Sequence, residues 1–134
     1  MSEPQGAHTV LIVDDDVAFV WWLGETFTEA GYQAVPALNP NQACTFVSKL
    51  HVLVNILVVN AALPGTARLV KSLENPDHNL KIVLIEDDRN SKAPSLRYDA
   101  TLRRPGGWEP VSREDWLRKL RTLLTNLHKT ERGA

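Results

Sequence analysis

Asp14, Asp15 and Asp16 stand directly after the apolar run Thr9 to Val13 (TVLIV), and this junction is the chain's clearest candidate for chemistry. Three more apolar runs end on polar or charged residues. Leu53 to Val59 (LVNILVV) runs into Asn60, Leu80 to Ile85 (LKIVLI) into Glu86-Asp87-Asp88, and Tyr98 to Leu102 (YDATL) into Arg103-Arg104-Pro105. Carboxylates crowded at one place repel each other and favour a bound cation or a basic partner. Asp87 and Asp88 read as solvated turn residues, whereas Asp14 and Asp15 follow a buried strand and are held to its end. His8, His51, His78 and His128 lack metal-ligand spacing. The single cysteine, Cys44, falls in an apolar helical pattern and reads as a small core residue. No glycine-rich phosphate loop is present.

The elements that position these groups alternate regularly. TVLIV, LVNILVV and LKIVLI have the continuous apolar character of strands buried on both faces. Tyr32 to Leu38 is a weaker strand and Tyr98 to Leu102 the weakest of five. Between them, Asp16 to Ala30 carries Phe19, Trp22, Leu23 and Phe27 at helical spacing, with Gly31 where a helix ends. Asn39-Pro40-Asn41-Gln42 is a helix start, with a capping Asn, a proline in the first turn and a Gln three residues on. Thr66 to Leu73 predicts a short third helix. Ser112 to Asp115 resembles a capping box before a last helix with Trp116, Leu120, Leu123, Leu124 and Leu127 inward. The polar stretch from Glu86 to Arg97, with Pro94 inside it, predicts a shortened or missing fourth helix. Strand and helix in alternation give an α/β fold of three layers, α/β/α, around a five-stranded parallel sheet. Ligands of such sheets gather at the carboxyl ends of the strands, where the acids stand.

Bulk properties narrow the function. A chain of 134 residues with 43% hydrophobic content suits one domain with a real core. Fifteen basic against sixteen acidic residues leave a net charge of -1, which argues against non-specific nucleic-acid binding. No apolar run approaches the roughly 20 residues of a membrane span, and residues 1–8 lack the order of a signal peptide. The expectation is a cytoplasmic protein with no nucleic-acid or membrane partner. Residues 1–8 are read as a disordered N-terminal tail, 9–130 as the domain and 131–134 as a C-terminal tail.

The order of motifs resembles the response-regulator receiver family, whose chemotaxis-regulator-like members carry a doubly wound, flavodoxin-like fold. VLIVDD at Val10 to Asp15, NAALPG at Asn60 to Gly65 and RRP at Arg103 to Pro105 match its acidic pair, its acceptor loop and its basic-residue–proline motif in that order. The resemblance spans about residues 8 to 130 and implies that Asp14 and Asp15 match metal-binding acids and that Asn60 occupies the phosphoacceptor position. Taken with the resemblance, the departures imply a degenerate, pseudo-receiver member. A neutral amide at Asn60 is no carboxylate nucleophile. Glu86 stands where the family has a switch hydroxyl, Thr101 where it has an aromatic, and Arg68 where Gly is common. Arg104 replaces Lys, keeping charge without the compact geometry. An insertion, Gly106 to Pro110, precedes the last helix.

The resemblance therefore implies a stand-alone atypical receiver domain of two-component-type signal transduction that is not an enzyme. It would act by phosphorylation-independent protein–protein interaction, with a histidine kinase or a downstream effector as partner and a homodimer left open. With one anion fewer, Asp14 and Asp15 would bind magnesium weakly or not at all, and an ion pair with Arg104 would replace the metal. Two alternatives stay open. One is a receiver phosphorylated on another acid. The other is a small haloacid-dehalogenase-like, magnesium-dependent phosphatase with Asp14 as nucleophile and Asp16 as acid/base. For the partner surface, helical spacing turns Val20 and Trp21 away from the face of Phe19, Leu23 and Phe27. That makes Val20 and Trp21 a candidate docking patch, with Trp108 on the inserted loop as a second anchor. The competing reading packs Trp21 on the last helix near Leu124 or Leu127.

Overall fold

The computed structural model describes residues 8–74, 80–86 and 97–103, together with Arg118, Arg121, Thr122 and Thr125. Within them the order is β1 (Thr9–Val13), α1 (Val17–Glu29), β2 (Gln33–Ala37), α2 (Pro40–Leu50), β3 (Ile56–Asn60), α3 (Thr66–Leu73), β4 (Lys81–Glu86) and β5 (Ala100–Arg103). The five strands form one parallel sheet ordered β2-β1-β3-β4-β5. That order reverses between β1 and β3, which is the switch point of a flavodoxin-like doubly wound sheet.

The strands are apolar on both sides because each side is covered. In β1, Val10 and Ile12 point into a core built with Phe19, Val20, Leu23 and Phe27 of α1. Leu11 and Val13 point into a second core with Ala43 of α2 and Leu69 and Val70 of α3. The same alternation sends Ile56 and Val58 of β3 to the α1 side and Leu57 and Val59 to the other. The three-layer arrangement follows from this pattern.

Local signals set the helix ends. Asp16 caps α1 by accepting from the Phe19 amide at 3.2 Å, and Gly31 follows the helix at φ 96°, in the left-handed region. Asn39 caps α2 by accepting from the Gln42 amide at 2.8 Å, and the Gln42 side chain accepts from the Leu38 amide at 2.7 Å. Cys44 is half-buried, with its Sγ 3.9 Å from Ser72 Oγ of α3.

Three expectations change. The third strand starts at Ile56 and not at Leu53, because Asn55 breaks the run. Its side chain accepts from the Thr9 amide at 2.7 Å, its own amide donates to the Thr9 carbonyl, and Leu53 is left exposed. His8, placed in the tail by composition, already extends β1 towards β2, since its carbonyl accepts from the Gln33 amide at 2.8 Å. Val20 is buried at 3% exposure and belongs to the α1 core. The buried arc of α1 is wider than one sheet-facing stripe because the helix also leans on β2. Residues 87–96, where a fourth helix was expected to be short, lie outside the described residues. So do Trp108 and the apolar face assigned to the last helix. Arg118, Arg121, Thr122 and Thr125 are helical and exposed, as the outer face of that helix requires.

Candidate functional site at the carboxyl ends of the strands

The site forms where β1 and β3 end side by side. Asp14 is fully buried, and its backbone amide donates to the Ala37 carbonyl of β2 at 3.2 Å. One carboxylate oxygen, Oδ1, accepts from the Asp16 amide at 2.9 Å. The other, Oδ2, accepts from Asn60 Nδ2 at 3.2 Å, across 46 residues of sequence. Asn60 is also fully buried, and its Oδ1 accepts from the Ala62 amide at 2.9 Å. The amide therefore uses one end to donate and the other to accept. A carboxylate is acceptor-only and could serve the Ala62 contact but not the Asp14 contact.

The loop after β3 holds Asn60 in this pose. Thr66 Oγ1 lies 3.3 Å from the Asn60 carbonyl and 2.8 Å from the Leu63 carbonyl, donating toward both. Leu63 N–H also donates to the Asn60 carbonyl, at 3.1 Å. Gly65 turns the chain into α3 at φ 91°, a conformation that disfavours any side chain. Thr66 was not singled out from sequence as a supporting residue. Its signal is a buried hydroxyl directly after the Pro-Gly turn.

The other expected site residues are arranged around this pair. Asp15 is exposed beside it. Asp16 is spent on capping α1. Glu86 is exposed at the end of β4, one residue past Ile85, which lies in register with Asn60. Thr101 is exposed on β5, opposite Leu84, and Arg68 is exposed on α3. Arg104, and with it the expected ion pair, lies outside the described residues, as do Asp87 and Asp88. Among the described residues no three His, Cys, Asp or Glu side chains come together to hold a metal ion. The only buried acid among the described residues is Asp14, and two protein donors already engage it. The phosphatase alternative would use as nucleophile Asp14, which is buried with both oxygens accepting hydrogen bonds, and as acid/base Asp16, an exposed side chain whose Oδ1 caps α1.

A second feature lies on the flank of the sheet. Trp21 on α1 is 66% exposed, so it does not pack into the core. It lines an open groove of about 430 Å³ between α1 and the edge strand β2, whose floor includes Val20, Gly24 and Ala34.

No family model and no curated protein matches the chain. Solved structures do. The chemotaxis response regulator CheY4 of Vibrio cholerae superposes with a TM-score of 0.62 at 18% identity, over 87% of this chain and 98% of that one. A CheY-like receiver domain from Methylobacillus flagellatus gives 0.65 at 20% identity, over 90% and 98%. One from Methanospirillum hungatei gives 0.60 at 19%, over 93% and 99%. The chain thus has the CheY-like receiver fold, and at these identities its chemistry has to be argued from its own residues.

Proposed function

We propose that the chain is a receiver-type signalling domain that takes no phosphoryl group and acts by binding another signalling protein. The observation behind this reading is Asn60, a buried amide hydrogen-bonded to Asp14 where the resemblance places the acceptor carboxylate. An amide has no anionic oxygen to attack phosphorus, and here its nitrogen is committed to the acid that would share the metal. Glu86 adds negative charge where a phosphoryl oxygen would need a donor. Arg104, which follows β5, supplies the cation for Asp14 and Asp15 in place of a metal. Magnesium binding is accordingly weak, and the domain has no catalytic residue.

The partner is a histidine kinase or a downstream effector. Trp21 supplies the exposed aromatic anchor, and Trp108 is a second anchor. Val20 is buried in the core and reaches the partner only as part of the floor of the groove beside Trp21. The test is incubation with acetyl phosphate and magnesium, followed by intact mass measurement. The expected result is an unchanged mass, and a stoichiometric gain of one phosphoryl group overturns the reading. Calorimetric titration gives a second test. A magnesium affinity in the low micromolar range would contradict replacement of the metal by Arg104.

A further inference from the structure

The groove between α1 and β2 has three properties that together specify an occupant. The first is Gly24, which sits in the middle of α1, where glycine is disfavoured relative to alanine. A Cβ there would lie 4.0 Å from Ala34 Cβ, an ordinary contact, so packing does not demand the glycine. Its missing side chain is what opens the groove beneath Trp21. The second is Pro36. Gln33 N–H donates to His8 and the Ala37 carbonyl accepts from Asp14, so the odd-numbered residues of β2 face β1. Ala34 and Pro36 therefore present their backbone groups to the free edge, and proline has no N–H to offer there. An added strand would lose a ladder bond at Pro36, whereas a helix needs none. The third is charge. Among the described residues, the lining contains Glu25 and Glu29 and no Lys or Arg.

We propose that this groove docks an amphipathic helical segment of a partner protein, with apolar side chains entering beside Trp21 and Lys or Arg flanking them. This rests on the reading of the chain as a binding domain and names the chemistry of its partner. A second copy of the chain is a poor occupant, because a symmetric pairing brings like carboxylates face to face. Trp21 forms one wall, and Val20 and Ala34 form an apolar floor. Glu25, which has no ion-pair partner among the described residues, meets the partner's cation.

The test is a titration of the ¹⁵N-labelled protein with a Leu/Lys peptide of about 18 residues patterned as an amphipathic helix, and with its Leu/Glu counterpart. We expect saturable shifts at the Trp21 indole, Gly24, Glu25, Thr28 and Ala34. The Leu/Glu peptide should bind at least about tenfold more weakly. Gly24→Leu fills the groove and weakens the Leu/Lys peptide by at least about tenfold. Gly24→Ala, which fits without a clash, weakens it less and guards against a folding failure. Glu25→Lys reverses the preference between peptides. Shifts that are absent or lie on another face, equal binding of both peptides, or undiminished binding by Gly24→Leu and Gly24→Ala would each overturn the proposal. Sedimentation showing a dimer that buries Trp21 would overturn it too. No phosphoryl donor enters this experiment. Peptide failure in a domain that still refuses acetyl phosphate removes only the groove, whereas phosphoryl uptake removes the parent reading.

Discussion

At Asn60 the choice between amide and carboxylate decides what Asp14 can do. The amide nitrogen lies 3.2 Å from Asp14 Oδ2 and neutralises part of its desolvation cost. In Asn60→Asp an acceptor would replace that donor, and two carboxylates so close share one proton. The folded pair then keeps a proton that the unfolded chain releases near pH ~4. A folded-state pKa raised in this way means that stability falls as pH rises past that value. We expect Asn60→Asp to lose about 1–3 kcal/mol at neutral pH without metal. The deficit should shrink towards pH ~4 and shrink again with millimolar magnesium, which supplies the missing positive charge. Urea unfolding with and without magnesium measures this. Equal stability of the two proteins at neutral pH, metal-free, would show that the Asn60 donor contributes nothing. The sequence exposed the identities of Asp14 and Asn60 and their places at strand ends. It did not reveal that Asp16 is the α1 cap or that Thr66 anchors the loop, since both roles depend on where backbone amides and carbonyls point.

At the scale of elements, α1 separates two kinds of aromatic. Phe27 is 1% exposed in the core, and Trp21 is 66% exposed beside the groove. Phe27→Ala should cost about 3–5 kcal/mol, as core aromatic truncations do. Trp21→Ala should cost less than about 1 kcal/mol while partner capture falls sharply. Denaturant midpoints at constant m-value compare the two, and a Trp21→Ala loss near that of Phe27→Ala would remove Trp21 from the surface argument. Gly24→Ala makes the opposite prediction. It should raise stability by about 0.5–1 kcal/mol, because the helix gains a better former without a clash. A loss of stability would mean that Ala34 cannot accept the contact. Elements were legible where local chemistry settles them. TVLIV became β1 and Thr66 to Leu73 became α3 at the expected residues, and Asn39 caps α2 as its motif predicts. Legibility failed where tertiary contacts override the local pattern. Asn55 is drawn into bonds with Thr9 and cuts β3 short, and Val20 is buried because α1 leans over β2.

At the scale of the molecule, a phosphorylation switch requires two arrangements of the site loops and a ligand that prefers one of them. Here the β1 and β3 ends are joined by Asn60 to Asp14, and Thr66 ties the loop after β3 to Asn60. The described end of β4 offers the Glu86 carboxylate, and β5 offers exposed Thr101. Without a hydroxyl at residue 86 or a ring at residue 101, a phosphoryl group would have neither the donor nor the rotor through which the resemblance implies the signal spreads. The expected outcome is a ¹H–¹⁵N spectrum that acetyl phosphate and magnesium leave unchanged in the chain with Asn60. In Asn60→Asp, changes should stay confined to residues around Asp14, position 60 and Ala62. Restoring the acceptor alone supplies the nucleophile without the differential contacts that shift a population. Shifts that reach Glu86, Thr101 and Leu102 in that variant would show that the sheet still carries a working switch and that only the acceptor had been lost.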